Sequence, residues 1–301
     1  MINSLTVTNH LDESCEIDLR NPAKSGFLIS KIEGLGPTKA AINMSDISNM
    51  DGNTFNSARV GTRNIVITLS YADDISVEDS RHKSYKYFPV KKQIKLKFET
   101  DTRSCEIYGY VESNEVSIFS SKETAVISVL CPNPYFYSLT KNLTDFSSVF
   151  PEFEFPFSNE SLTERMMVIS SVTLATEKSI YYSGDSEVGI SILIHAGGVV
   201  SNLRIVNKTT RETMTIDDTK LIAFTGSGIK AGDDILISTI RGNKSITLMR
   251  DGLSINILNC LDKNTKWFQL NQGDNVFAYT ADSGILNFQF EIMNDVLYGG
   301  I

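Results

Sequence analysis

The stretch that decides the fold is residues 75–136, which reads ISVEDSRHKSYKYFPVKKQIKLKFETDTRSCEIYGYVESNEVSIFSSKETAVISVLCPNPYF. Its start fits the S-x-x-[DE] pattern of a capping box at Ser76 and Asp79, which predicts a short helix that ends at Pro89. Beyond Pro89 the apolar period changes from 3.6 to 2. Apolar and charged residues alternate along 94–98, as they do in a strand with one buried face.

Three more strand-like runs follow in the same stretch, at residues 105–111, 116–119 and 124–130. Pro132 and Pro134 then end the pattern, because proline cannot donate to a β-ladder. The stretch therefore predicts one helix followed by a β-meander. It contains no catalytic constellation.

The composition is that of an ordinary globular protein with an uneven negative charge. The 301 residues are 41% hydrophobic and 21% charged, with a net charge of −8. Residues 1–138 carry 15 Lys and Arg against 17 Asp and Glu, whereas the rest carries 13 against 19. This acidity argues against a groove that binds nucleic-acid phosphates. It suits a wall past which DNA slides without sticking.

Metal, redox and membrane functions find no support in the pattern. The cysteines, at positions 15, 105, 131 and 260, form no C-x-x-C pair and are expected to be buried free thiols. The three histidines have no Cys, Asp or Glu at ligand spacing, so neither a metal nor a cofactor is expected. No secretory segment and no apolar run of transmembrane length is seen, which predicts synthesis in a reducing cytosol.

Catalysis finds no support either. Gly226-Ser227-Gly228 lies between strands and lacks the strand–turn–helix context of a nucleophile elbow. Adjacent acids such as Asp217-Asp218 point to opposite faces of a strand and cannot form a facing acid pair. We therefore expect a protein that is not an enzyme.

A long polar excursion separates two strand-like runs at residues 38–61, with Asp51-Gly52 as a strong turn signal. It is interpreted either as a solvated hairpin loop or as an arm that reaches a partner.

The chain divides into two predicted β domains. Residues 1–138 form the first, an aromatic and proline-rich linker covers 139–160, and residues 161–301 form the second. The second consists of short strand-like runs separated by glycine turns, which is typical of a sandwich or jelly roll. The fold class is therefore all-β, with one short helix in the first domain.

Two groups of side chains remain as candidates for binding. Lys91, Lys92, Lys95 and Lys97 form a basic stripe on one strand, interpreted as a solvated face, as protection of a sheet edge, or as a contact with an acidic subunit. Trp267, Tyr279 and Tyr298 are the aromatic candidates for stacking on a glycan, with core packing as the alternative for Trp267.

Several segments, in the right order, resemble the distal tail (Dit) proteins of siphophage tails and related phage-like particles. The segments are YKYFPVKKQIKLKFETDTR, GYVESNEVSIFS and CPNPYFYS, preceded by FLISKIEGLGPTKA and DGNTFNSARVGTRNIVI, and followed by GDDILISTIRGNKSI, GLSINIL and WFQLNQGDNVFAYTADSG. The resemblance covers nearly the whole chain and rests on many small matches, none diagnostic alone.

The resemblance implies a tail-tube-like N-terminal β domain that assembles into a hexameric ring, and a galectin-like C-terminal sandwich. Such a ring, or a pair of rings, would be a structural hub in the virion baseplate, between the major tail tube protein and the tail-tip hub protein. The tape measure protein and DNA would pass through its channel without specific binding, and a receptor-binding protein would be a further partner. Membrane insertion is not expected, and synthesis would take place in the bacterial host cytoplasm.

The resemblance also suggests roles for residues of the excursion and of the basic stripe. The stripe, Lys91 to Lys97, would lie at the ring edge. The residues expected to form a tube-docking or inter-subunit arm are Asp51, Gly52, Asn53, Phe55 and Arg59. The alternative function is a carbohydrate-binding host-adhesion module that acts through the C-terminal sandwich, with Trp267 and Tyr279 as its glycan contacts.

Overall fold

The computed structural model describes residues 1–48, 51–71, 76–119, 123–151 and 170–301, with the backbone alone for residues 23, 148–151 and 170–174. The chain forms two compact units. Unit 1 comprises Met1–Leu139 and Leu297–Ile301, and unit 2 comprises Thr140–Val296.

Nearly all regular structure in the described residues is β, as the sequence predicts, with helices α1 (Val77–Tyr87) and α2 (Asp218–Thr225). The strands of unit 1 are β1 Ile2–Thr8, β2 Ser14–Asp18, β3 Phe27–Glu33, β4 Ala40–Asp46, β5 Asn53–Val60, β6 Arg63–Tyr71, β7 Gln93–Thr100, β8 Ser104–Val116, β9 Thr124–Cys131, β10 Phe136–Ser138 and β24 Leu297–Tyr298. Those of unit 2 are β11 Asn142–Asp145, β12 Ser147–Pro151, β13 Ser170–Leu174, β14 Glu177–Tyr182, β15 Val188–Ala196, β16 Arg204–Asn207, β17 Glu212–Thr215, β18 Asp233–Ser238, β19 Ser245–Arg250, β20 Leu253–Asn256, β21 Gln269–Leu270, β22 Gly273–Thr280 and β23 Phe288–Asn294.

Unit 1 is built on one antiparallel sheet in the order β2-β1-β7-β8-β9-β6-β3, to which β10 and β24 are added beside β8. Edge strands β2 and β3 approach each other around the short turn Pro22–Lys24, so the sheet curls toward a barrel. Every second residue of the central strands is fully buried, for example Ile65, Ile67 and Leu69 of β6. This alternation is the period-2 pattern that the sequence shows, and it places one face of the sheet in the core.

Two details of the deciding stretch differ from the sequence prediction. Ser76 is the residue before α1, but its hydroxyl makes no capping bond, and its carbonyl accepts from the Ser80 backbone N–H at 3.0 Å instead. The separate strand expected at 116–119 is absent from the described residues, because β8 runs on to Val116 through an irregularity between Val111 and Ser113. Such a bulge shifts the alternation by one residue and hides the continuity of a strand.

Unit 2 is a sandwich of two antiparallel sheets, with the hairpin β12–β13 beside them. One sheet has the order β11-β23-β15-β18-β19-β20, with β21 paired to β15, and the other has the order β14-β22-β16-β17. Aromatic rings join the two layers: Tyr279 of the second sheet stacks on Phe290 of the first at 5.1 Å, and Phe146 meets Phe290 edge-on at 4.9 Å. The predicted sandwich is thus present.

Helix α2 was not predicted, although its signal is in the sequence. Asp217 caps the helix, since its carboxylate accepts from the backbone N–H groups of Thr219 at 3.0 Å and Lys220 at 3.3 Å. Gly226 ends it with a positive φ of 81°. The pair Asp217-Asp218, described above as neighbours on a strand, therefore starts a helix.

The predicted domain boundaries differ from the two units at both ends of unit 2. Residues 140–151 carry strands that belong to unit 2, whereas residues 152–160 of the expected linker lie outside the described residues. Leu297–Ile301, expected in the second domain, belong to unit 1, because β24 pairs with β10.

Candidate functional site

The most unusual surface of the molecule is the hairpin of β4 and β5, which we call the arm. Beyond a break at residues 34–39 and 61–62, it continues the direction of the chain from the β3–β6 pair. It pairs with no other strand of the described residues. All of its described residues from Ala40 to Val60 are exposed. Gly52 has φ +97° in the turn between the strands, as the Asp51-Gly52 signal predicts.

Large apolar side chains occupy this exposed arm. Phe55 is 61% exposed and Ile42 is 55% exposed, and Met44, Ile47 and Val60 are exposed as well. An isolated two-stranded hairpin is marginally stable in water, and contiguous exposed apolar surface is typical of an interface. The arm therefore has the properties of a segment that completes its burial against another molecule.

The predicted arm residues all lie on this hairpin or at its turn. Asn53, Phe55 and Arg59 belong to β5, whereas Asp51 and Gly52 precede it. The solvated-loop and docking-arm interpretations both remain compatible with exposure alone. The apolar side chains favour the second.

The base of the arm is fixed by one buried side chain, Arg63, the first residue of β6. Its guanidinium donates to four backbone carbonyls: from Nε to Pro134 at 2.6 Å, from Nη1 to Gly34 and to Gly36 (2.7 Å for Gly36), and from Nη2 to Gly299 at 2.6 Å. We call Arg63 and these four carbonyls the clamp. It ties together the break below β4, the proline stop after β9 and the last residues of the sequence.

Burial makes the clamp energetically important. Arg63 is 2% exposed, and its guanidinium carbon lies 4.5 Å from the centre of the Phe136 ring. Desolvation lowers the pKa of Arg63 below its usual range. Carbonyl dipoles and the ring face stabilise the charge in the place that a carboxylate usually takes. Loss of the guanidinium would leave several buried carbonyls without a donor, which is costly.

One of the four acceptors of Arg63, Gly34, has to be a glycine. Gly34 has φ +84°, and a Cβ on it would lie 2.0 Å from the Asn64 carbonyl oxygen. The segment Leu297–Ile301 is held by further contacts: Ile301 donates its backbone N–H to the Leu35 carbonyl at 3.1 Å. Arg103 stacks on Tyr298 at 4.4 Å.

The basic stripe does not lie at a sheet edge, so its interpretation as protection of a sheet edge is wrong. The role of Lys91, Lys92, Lys95 and Lys97 at a ring edge stays a prediction. Strand β7, which carries Lys95 and Lys97, is hydrogen-bonded on both sides, to β1 and to β8. Lys95 pairs with Glu106 at 3.7 Å, and Lys97 pairs with Glu99 at 2.6 Å, which lowers the pKa of Glu99. Lys91 and Lys92, in the preceding turn, are exposed, whereas Lys95 and Lys97 are half-buried.

The two predicted glycan contacts differ in accessibility. Tyr279 is fully buried between the sheets of unit 2, against Phe146, Phe288 and Phe290. It therefore offers no stacking surface, which corrects that assignment. Trp267 is half-buried, with the Lys244 ammonium 5.5 Å from its ring centre.

Two pairs of polar side chains in unit 2 contact each other directly. His195 Nδ1 lies 2.6 Å from the Asp234 carboxylate on an exposed sheet face. Asp233 and Arg250 form a buried pair, with Arg250 Nε donating at 2.8 Å.

In the part of the chain that the structure describes, no group of three His, Cys, Asp or Glu side chains is arranged to hold a metal. No helix among those residues is long and apolar enough to cross a membrane.

Comparison with known proteins gives structural matches only. No family model matches the chain, and no curated protein matches it. The crystal structure of the SPP1 Dit (gp 19.1) protein, described as a paradigm of the hub adsorption apparatus in phages that infect Gram-positive bacteria, matches with a TM-score of 0.63. That match has 12% identity and covers 97% of this chain and 98% of the other.

Two structures of the phage P2 baseplate in its activated conformation, with Ca and with Sr, also match. Their TM-scores are 0.46 and 0.41, with identities of 10% and 9%. They cover 98% and 96% of this chain, and 98% and 97% of theirs. The first match shows that the chain has the fold of the SPP1 Dit protein, as the sequence resemblance predicts.

Proposed function

We propose that the protein is a structural hub at the distal end of a phage-like tail, where copies of the chain form a hexameric ring or a pair of rings. The ring links the major tail tube protein to the tail-tip hub and the host-adsorption apparatus. Its channel passes the tape measure protein and DNA. The fold shared with a Dit protein supports this role, and no part of it requires catalysis.

The observation that carries the proposal is the arm, whose described residues are all exposed and which presents Ile42, Met44 and Phe55 to solvent. A ring needs a heterologous interface, in which one surface of a copy meets a different surface of the next. A hairpin that lacks a core of its own suits one half of such an interface. The ring-forming residues 1–138 carry 17 acids against 15 bases, a slightly negative balance that suits a channel that DNA crosses without binding.

The test measures assembly rather than activity. Native mass spectrometry of the full chain should give a hexamer or a dodecamer, and mixing with tail tube protein should give a joined complex. Deletion of residues 49–56 should leave a folded chain that no longer joins the tube. A strict monomer at high concentration would contradict the ring, and a shortened arm that still joins tube protein would contradict the role of the arm.

A further inference from the structure

Strand β20 (Leu253–Asn256) forms one edge of the larger sandwich sheet of unit 2, and it carries no charged residue. Each of the other three edge strands of the two sandwich sheets carries at least one, namely Asp145 in β11, Glu177 in β14 and Glu212 in β17. Charged side chains on an edge strand prevent a further strand from pairing with it. Among the described edges of the sandwich, β20 is therefore the one at which such pairing is least opposed.

The backbone of β20 presents two residues, Ser254 and Asn256, to this free edge. Strands β19 and β20 are joined by Asp251-Gly252, with φ values of 52° and 78°, which fixes their pairing as a two-residue hairpin. Ile257 donates its backbone N–H to the Ile246 carbonyl at 3.0 Å, so every second residue back from position 257 bonds toward β19. The N–H and C=O groups of Ser254 and Asn256 therefore point away from β19, where no described strand meets them.

The strand is complementary to a second copy of itself in antiparallel orientation. When Ile255 faces Ile255 of the second copy, Ser254 lies opposite Asn256 of that copy, and Asn256 lies opposite its Ser254. These are the residues whose backbone groups point outward, so each of the two pairs exchanges two hydrogen bonds. The arrangement has a two-fold axis at Ile255, and the same patch on both copies therefore completes the contact.

The side chains of β20 also match across this axis. On one face of the strand, Asn256 Oδ1 accepts from the Leu258 backbone N–H at 2.9 Å, so its Nδ2 is left to donate to the Ser254 hydroxyl of the second copy. On the other face, Ile255 is half-buried and Leu253 is 66% exposed. Side chains of opposed residues that are not hydrogen-bonded to each other lie close together, so the two isoleucines bury one another.

We propose that β20 is a contact between two copies of the chain, in which the two strands pair antiparallel and the larger sandwich sheets become continuous. This contact goes beyond the proposed function, in which the arm of unit 1 meets the partner. Neighbours in a hexameric ring are related by a sixth of a turn, whereas this contact needs half a turn. It therefore joins copies that are not ring neighbours, and it forms whether or not a ring is present.

A second copy suits this edge better than a strand of another protein does. Any extended segment can hydrogen-bond to a free edge, and alternate side chains then decide which one binds. Here β20 supplies a hydroxyl and an amide at the two outward positions and isoleucine between them, each placed opposite its match. No charge on the strand has to be neutralised by a partner.

The experiment traps the contact as a disulfide in the full chain. Opposed residues of this kind have Cα atoms about 4.5 Å apart, within the range that a disulfide spans, so Ile255→Cys should give a covalent dimer on mild oxidation. The matched control is Ser254→Cys, which is more exposed. Its two cysteines are offset by two positions along the strands, beyond the roughly 7 Å that a disulfide can bridge.

The product is read on a non-reducing denaturing gel, which resolves covalent dimers whatever ring the chain forms. Peptide mass spectrometry should identify the bond between the two positions 255. The four native cysteines are buried and free, and the unsubstituted chain serves as their control. We expect efficient dimerisation of Ile255→Cys and little of Ser254→Cys.

A charge on the edge tests the pairing itself. In the Ile255→Cys background, Ser254→Lys should lower the rate of crosslinking by about tenfold, because lysine on an edge strand opposes pairing and the two copies repel each other. The control Gln289→Lys adds the same charge at an exposed position of β23 in the same sheet and should leave the rate unchanged.

Equal crosslinking of Ile255→Cys and Ser254→Cys would contradict this register and overturn the proposal. Absence of the crosslink in a chain whose Trp267 emission shows a folded unit 2 would also overturn it, and would leave the edge to a strand of another protein. Native mass spectrometry separates this result from the ring. A hexamer without the crosslink would refute only the β20 contact, and a crosslink in a chain that forms no ring would refute only the ring.

Discussion

The arm and the clamp are neighbours in the chain and opposite in their physical state. In the arm every described residue from Ala40 to Val60 is exposed, including Phe55. Three residues after the arm, Arg63 is buried and makes four hydrogen bonds to carbonyls. The hydrogen bonds of the clamp are all made within unit 1, whereas the apolar side chains of the arm are left exposed. A fixed base under an unsatisfied hairpin is what a segment needs if it is to meet a partner in a set direction.

The largest expected effect comes from a substitution in the clamp. Arg63→Met removes the donor from four carbonyls and should destabilise unit 1 by at least about 3 kcal/mol, since each buried unpaired group costs about 1–3 kcal/mol. Hydrogen exchange of peptides from β6 and β9 measures this change in the stability of unit 1. Tryptophan fluorescence would not, because Trp267, the single tryptophan, lies in unit 2. The control Arg59→Met, on the exposed arm, should change stability by less than about 0.5 kcal/mol.

Equal protection of β6 and β9 in Arg63→Met and in the native protein would show that the clamp does not stabilise the unit.

A smaller effect is expected from a substitution in the arm. Phe55→Ser should leave the folded monomer unchanged, because the ring is exposed, and should weaken association by about 2 kcal/mol, the value of burying such a side chain. That corresponds to roughly a 30-fold loss in affinity. Analytical ultracentrifugation over a range of concentrations measures it.

The matched control for this change is Leu143→Ser, an apolar side chain of unit 2 that is 60% exposed. If Leu143→Ser weakens association as much as Phe55→Ser does, the arm has no special part in assembly.

The smallest effect concerns Tyr108, on the outer face of the sheet that supports both regions. Burial, and then the hydrogen bond to Glu106, raise the pKa of Tyr108 to about 12. Because the folded pKa is raised, the stabilisation is complete below the unfolded value of about 10 and is lost as the pH rises through about 12. With the side chain 42% exposed, it should amount to less than about 1 kcal/mol.

Tyr108→Phe should therefore flatten the dependence of unit 1 stability on pH between 10 and 12, as followed by hydrogen exchange or thermal unfolding. It should also remove one late step from the absorbance titration of the tyrosines. An unchanged titration near pH 12 would assign that step to another group.

Local patterns allowed much of the fold to be predicted. The alternation along β7 and β6 follows from one buried face, and Pro89 and Pro132 mark real ends of elements. Helix α2 was missed although Asp217 and Gly226 carry ordinary capping signals, because eight residues are too few for a clear apolar period.

Features that depend on distant pairing could not be predicted. The lysines of β7 were interpreted as lying at a sheet edge, because nothing in the sequence around β7 shows that β1 pairs with it. The acceptors of Arg63 come from positions 34, 36, 134 and 299, so no spacing in the sequence brings them together. Tyr279 and Trp267 are both aromatic residues near turns, and only packing separates the buried ring from the accessible one.

The route of the chain through the clamp has a consequence for biosynthesis. Gly299, one of the four acceptors of Arg63, follows the whole of unit 2 in the order of translation. When β6 leaves the ribosome, the guanidinium of Arg63 has no access to that carbonyl until more than two hundred further residues have been made. Unit 1 is therefore completed last although it is begun first. A product of interrupted translation would carry the arm but lack the Gly299 acceptor of the clamp at its base. We therefore expect such a product to be incorporated poorly into an assembly.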